Sequence, residues 1–176
     1  MPRPGTRAPE LAIPVASLSA LRRSLTAEVG GDVAARALRS AGHAAGDALF
    51  AQLVNDEADV SEATFWRRFA QLFSSRGWGS LSHVPLHPGV AALDASDWVE
   101  ADAEASESRP SCFFTTGMIA NLLGNTAGST VAVMEVECRS AGHDRCRFLF
   151  GSAEALQAVY AQVAHGTSVD AALSEL

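Results

Sequence analysis

The sequence predicts an α+β fold, an antiparallel sheet of two hairpins covered by helices. Three observations point there. Helical periodicity fills the first part of the chain, two pairs of β-leaning runs each flank a tight-turn signal, and a helical run separates the pairs. No internal repeat is visible. At 176 residues the chain is one domain of ordinary size with room for a single core. The expected organisation is a flexible N-terminal tail over 1–16 and a single domain over 17–176.

Met1 to Pro14 is rich in proline and small residues, which suits a mobile arm. Leu18, Leu21, Leu25 and Val29 recur at helical spacing until Gly30-Gly31 interrupts them. A second helix is predicted over about 32–54, with Val33, Ala37, Leu38, Ala41, Ala45, Leu49 and Leu53 on its packed side. Gly42 and Gly46 lie four apart on that helix. Each costs about 1 kcal/mol relative to Ala, which makes sense if another backbone packs closely there. Asp59-Val-Ser-Glu62 has the form of a capping box opening a helix with Phe65, Trp66, Phe69, Leu72 and Phe73.

Trp78–Leu86 and Val90–Glu100 read as the first hairpin, turning at His87-Pro88-Gly89. Asp102–Arg109 is acidic and reads as an exposed loop. A helix is predicted over Ser111–Leu123. Its long uncharged surroundings are too short to span a membrane, because Gly124-Asn-Thr-Ala-Gly-Ser129 cuts the run with turn residues. Thr130–Glu137 and Arg145–Phe150 form the second hairpin, with Gly142 in its turn. Ser152 caps a helix to about Ala164, and a last short helix covers Ser168–Leu176.

Apolar content of 48% with 19% charged residues argues for a folded globular protein and against disorder. The net charge is −7 and no Lys/Arg cluster appears, so nucleic-acid binding is not expected. The proline-broken N-terminus lacks a secretory apolar core, which assigns the chain to the cytoplasm, where thiols stay reduced. There, three cysteines point to metal, chemistry or plain core more than to a disulfide. All three, Cys112, Cys138 and Cys146, fall in one stretch, with Glu135 and Glu137 just before the second. Zinc suits thiolates, tolerates a carboxylate and favours four ligands. Hairpin pairing brings Cys138 and Cys146 together, and Cys112 joins them if its helix packs on that hairpin. The fourth ligand is open at this level. Side chains alternate along a strand, so Glu135 reaches the Cys138 side only across a bulge. His143, at the turn, is a third candidate. Three ordinary buried thiols remain the plain alternative.

Cys112-Phe-Phe-Thr-Thr-Gly117, Glu135-Val-Glu-Cys138 and Gly142-His-Asp-Arg-Cys146-Arg-Phe148 resemble the 4-vinyl reductase domain. The same domain serves as the sensor module of phenol- and xylene-responsive activators. Leu38-Arg-Ser-Ala-Gly42-His-Ala-Ala-Gly46 resembles the family's first long helix. Ser96-Asp-Trp-Val-Glu100 resembles the strand ahead of the cysteine helix, so the likeness runs from about Leu21 to Ala164. The resemblance implies a zinc ion held by Cys112, Glu135, Cys138 and Cys146. It also implies a fold similar to small vesicle-tethering subunits, a homodimer, and a small apolar ligand beside the zinc. The ATPase and DNA-binding domains of those activators have no counterpart in this sequence, so a downstream regulatory protein is an expected partner.

Candidate ligand-binding residues are Phe69, Trp78, Trp98, Phe113, Phe114 and Met118. They are apolar and uncharged, and they favour a hydrophobic ligand, aromatic or tetrapyrrole-like. No G-x-G-x-x-G after a strand, P-loop, H-E-x-x-H or G-x-S-x-G pattern occurs. A zinc closed by four protein ligands leaves no open catalytic position. The leading expectation is therefore a stand-alone sensor or carrier. An accessory factor or enzyme of 4-vinyl chlorophyllide reduction, and an interaction subunit without ligand, are the alternatives.

Overall fold

The computed structural model describes residues 10–53 and 61–176. The predicted tail therefore lies largely outside the described residues, as do Val54 and Asp59. Six α-helices, four strands and one short 3-10 turn follow in order among the described residues. They are α1 (Val15–Val29), α2 (Gly31–Leu53), α3 (Glu62–Ser74), β1 (Ser82–His87), β2 (Val90–Ala95) and α4 (Phe113–Ala127). After these come β3 (Ala132–Glu137), the 3-10 turn (Arg139–Ala141), β4 (Cys146–Gly151), α5 (Ala153–Val163) and α6 (Val169–Ser174).

The strands form one antiparallel sheet in the order β1-β2-β4-β3. This is the predicted α+β arrangement, with the two hairpins joined through β2 and β4. Alternation gives the sheet two apolar faces. Leu93, Ala95, Cys146 and Phe148 face a core shared with α2, α3 and α4. Val90, Ala92 and Leu149 face a smaller core shared with α5 and α6.

Several boundaries differ from expectation, each for a local reason. α1 starts at Val15, slightly earlier than the periodicity suggested. The cap of α3 is Ser61, whose hydroxyl accepts from the Thr64 amide. The first hairpin is shorter than predicted: β1 begins at Ser82, and β2 ends at Ala95. Residues 96–100, read from the resemblance as strand, form bends and turns instead. Asp97 holds this corner by accepting from the Ser80 amide at 2.8 Å. α4 runs on through Gly124 to Ala127, so the expected break does not occur. Asn125 donates to Asn121 Oδ1 at 2.9 Å, tying the last turn to the one before it. The helix stops only at Gly128, in the left-handed region at φ 63°.

The packed face of α2 also differs. Val33, Ala37 and Ala41 are exposed, and the buried line is Ala35, Leu38, Gly42, Gly46, Leu49 and Leu53. The glycines themselves make the contact with α4. A Cβ on Gly42 would sit 1.9 Å from the Phe114 carbonyl oxygen, and one on Gly117 would sit 2.0 Å from the Arg39 carbonyl oxygen. The two helices thus meet backbone to backbone, which the glycine spacing predicted. Gly117→Ala should lower stability by about 2 kcal/mol, because overpacking outweighs the helix-propensity gain of about 1 kcal/mol. A urea midpoint unchanged from wild type would show that the contact is looser than this.

Candidate metal centre

Three elements deliver the cluster. Cys112 is the N-cap of α4, Cys138 follows β3 and enters the 3-10 turn, and Cys146 opens β4. All three thiols are fully buried. Cys112 Sγ lies 3.8 Å from Cys138 Sγ and 3.9 Å from Cys146 Sγ. A disulfide needs about 2.05 Å, so these are free thiols. A tetrahedron with sulfur about 2.3 Å from its centre has edges of about 3.8 Å, matching the observed spacing.

Glu135 joins them through a bulge. In the β3–β4 ladder Glu135 pairs with Phe148 but Glu137 pairs with Arg147, so two residues of β3 face one of β4. The extra residue turns Glu135 and Cys138 to the same side. It sends Glu137 to the other, where it accepts from Arg145 at 2.8 Å. Asp94 accepts from Arg147 at 2.7 and 2.8 Å on that same side. Cross-strand charge pairs thus hold β2, β4 and β3 in register next to the cysteines. One ligand atom from each of Cys112, Glu135, Cys138 and Cys146 lies within 4.8 Å of every other. His143, the third candidate, is outside this group. Its Nδ1 sits 3.2 Å from the Cys138 amide nitrogen and 3.1 Å from the Cys138 carbonyl oxygen, bracing the turn.

The donor set fits a cation. Glu135 Oε2 accepts from the Cys112 amide at 2.8 Å, whereas Glu135 Oε1 is buried without a hydrogen-bond partner. An orphaned carboxylate oxygen among thiols is costly unless something positive satisfies it. Burial, with the nearby Cys138 charge, pushes the Glu135 carboxyl up to about 9. Burial also pushes the Cys112 thiol well above its ordinary range. Four acids packed this closely cannot all ionise without a counter-charge, and a divalent cation would supply it.

Further contacts hold the start of α4. Glu100, 5% exposed, accepts from the Phe114 amide at 2.9 Å and the Thr115 amide at 2.8 Å, and from the Thr115 hydroxyl. It satisfies orphan amides of the first helical turn. Arg22, buried on α1, donates to the Ser111 hydroxyl and pairs with Glu107 at 3.3 Å. Ser140 Oγ accepts from the Asp102 amide at 2.9 Å, tying the 102–109 loop to the 3-10 turn. Sequence reasoning missed these three residues. Each acts across a long sequence separation and carries no local pattern.

Five of the six candidate ligand-binding residues meet in one core. Phe69 packs on Phe73, Phe73 on Trp98, Trp98 on Trp78, and Trp78 stacks on Phe114 at 5.7 Å. Met118 lies in the same cluster. Trp98 Nε1 donates to Thr115 Oγ1 at 2.8 Å, linking this aromatic chain to the helix that carries Cys112. Phe113 stands apart, on the far side of α4, under the Arg39 guanidinium at 5.0 Å.

The comparisons agree with this geometry. Residues 94–152 match the family model of the 4-vinyl reductase domain, the segment from within β2 to the residue before α5. In fold the chain is similar to the phenol-responsive sensory domain of the transcription activator PoxR, solved with phenol. That likeness has a TM-score of 0.70 and 18% identity, covering 90% of this chain and 84% of that one. It is also similar to a vinyl-4-reductase family protein from Methanocaldococcus jannaschii, with a TM-score of 0.54 and 18% identity over 80% of this chain and 82% of that one. No curated protein matches by sequence. The resemblance carried by the three cysteine motifs therefore holds. The match to the 4-vinyl reductase domain spans the whole cysteine cluster, and over most of its length the chain shares the fold of a phenol-responsive sensory domain. Among the described residues no helix is long and apolar enough to cross a membrane.

Burial lifts Glu100 from its ordinary 4.5 to about 7. In the unfolded chain it ionises near 4.5, so its contribution is intact below that pH and is lost as pH rises through 7. Glu100→Gln should therefore flatten the fall in stability across this window, read from urea midpoints at stepped pH. An unchanged slope would mean that Glu100 is ionised throughout.

Proposed function

We propose that this chain is a zinc-stapled domain that binds a small hydrophobic ligand as a sensor or carrier, working as a homodimer in the cytoplasm. The observation that carries the zinc assignment is the convergence of Cys112, Glu135, Cys138 and Cys146, with Glu135 Oε1 left buried and unpartnered. Zinc is preferred because three thiolates and one carboxylate suit it, and because the sulfur spacing matches its tetrahedral edge. Bound there, the ion would complete the charge of four acids. Four protein ligands leave no position for substrate, so its role is to tie the start of α4 to the β3–β4 hairpin.

The ligand-binding reading draws on the fold likeness to a phenol-responsive sensory domain and on the aromatic cluster beside the thiols. Phe69, Trp78, Trp98, Phe114 and Met118 are the residues assigned to the ligand, with Phe113 on the far side of α4. Thr115 lies between the two sites. It is three residues from Cys112 and bonded to Trp98, so a ligand that shifts Trp98 would pull on the stapled helix start. A regulatory protein that reads this movement is the expected downstream partner.

A second reading, an interaction subunit without ligand, is favoured by one feature. The aromatic cluster is filled by its own side chains, with Phe69, Phe73 and Trp98 fully buried, and the surface clefts open along α2, α4 and β3 instead.

Native mass spectrometry separates these readings. The zinc-stapled sensor predicts about one zinc per chain, a dimer mass and a co-purified or added aromatic ligand. Cys138→Ser should remove the metal and lower the unfolding temperature by several degrees, as loss of a structural zinc does. A metal-free Cys138→Ser protein with full thermal stability would remove the staple from the proposal. A zinc-loaded protein that takes up no aromatic ligand would favour the interaction subunit.

A further inference from the structure

The outer edge of the sheet is built differently from the rest of the surface. β3 is a terminal strand, and among the described residues β4 is its only strand neighbour. All six of its residues are half-buried, neither covered nor fully exposed. A cleft of about 680 Å³ runs along it, with Val133, Met134, Glu135 and Val136 as its floor. Open edges carry unpaired backbone groups and are usually blunted by charge or proline on the strand itself. In β3 the one carboxylate of the floor, Glu135, is turned into the thiol cluster, leaving the edge without that protection.

The two walls have different chemistry. On one side stand Arg36 and Arg39 of α2, with Arg109 and Phe113 beyond them; on the other stand Tyr160 and Val163 of α5. The chain carries a net −7, so three arginines along one wall are a local reversal of its charge. Arg109 pairs with Asp32 at 3.4 Å. Among the described residues Arg36 and Arg39 have no carboxylate partner, and Arg39 lies only over the Phe113 ring. Tyr160 is 55% exposed, an aromatic side chain open to solvent on the opposite wall.

We propose that this slot docks an extended segment of a partner protein that alternates acidic and apolar residues and adds to the sheet beside β3. Strand side chains point alternately to the two faces of a sheet. Every second residue of such a segment would then meet the arginine wall, and those between would meet Tyr160 and Val163. Backbone bonds to the edge supply affinity, and the two walls select the sequence. A second copy of this chain is a poorer occupant. Antiparallel pairing of two β3 edges around a two-fold axis would set arginine wall against arginine wall. The slot is separate from the aromatic core, and the inference stands whether or not that core takes a ligand.

The test uses a fluorescein-labelled Glu-Val-Glu-Val-Glu peptide, capped at both ends, read by anisotropy on the whole chain. The peptide should bind, and its Lys-for-Glu counterpart should not. N-methylation of alternate peptide amides should abolish binding, because it removes the donors that pair with the edge. Arg36→Glu and Arg39→Glu should each weaken binding about tenfold, the worth of one charge-assisted hydrogen bond. Zinc content and circular dichroism check that these variants fold. The proposal fails if the wild-type chain does not bind the peptide, or if the Lys or N-methylated peptides bind equally well. A wild-type dimer that the Arg36→Glu, Arg39→Glu double variant splits would assign the slot to a second copy and overturn it as well.

Discussion

The rest of the structure depends on how the first turn of α4 is held. That turn offers unpaired amides and the positive end of a helix dipole. Two buried carboxylates meet it: Glu135 at the Cys112 amide, and Glu100 at the Phe114 and Thr115 amides. Cys112 itself brings a thiol within 3.9 Å of two others from the β3–β4 hairpin. The helix start is therefore the common partner of α1 through Arg22, of the 96–100 corner through Glu100, and of the hairpin through the cluster. Buried acids at this density are costly alone, and a bound cation resolves the cost without new packing.

The α2–α4 contact makes this geometry rigid. Gly42 and Gly117 let two backbones approach until no side chain fits between them. Asn121 of α4 reaches across the seam to donate to Asp47 of α2 at 2.7 Å. With α4 fixed along its length by α2 and at its start by the cluster, Thr115 becomes a stable point on which Trp98 is hung. The aromatic chain from Phe69 to Phe114 is thus coupled to the metal centre by one hydrogen bond and one helical turn, the physical basis for reading it as a sensor. Interiors packed this densely transmit a shift of one side chain to its neighbours.

The sheet divides the molecule's tasks between its faces. The side toward α2, α3 and α4 holds the thiols and the aromatic chain, and the side toward α5 and α6 is an aliphatic layer. Asp94, Glu137, Arg145 and Arg147 cross-link three strands on the second side, directly behind the cysteines. The bulge between Glu135 and Glu137 separates these roles. One extra residue gives one glutamate to the cluster and the next to the ion pairs.

The element types, their order, the hairpin turns and the identity of the four clustered residues were legible in the sequence. Periodicity, turn residues and cysteine placement are local signals, and the three motifs carried the family likeness. The choice of Glu135 over His143 was not legible from spacing, because a bulge is a choice of ladder register that two strands make together. The packed side of α2 was misread for a related reason. Hydrophobic periodicity marks faces that bury side chains, and this face buries backbone. Glu100, Arg22 and Ser140 left no local trace at all, since each meets its partner only when distant segments are brought into contact. The chain's own residues determine which parts form. Only tertiary packing decides which carboxylate turns inward, because burial and pairing are properties of neighbours that the linear order does not contain.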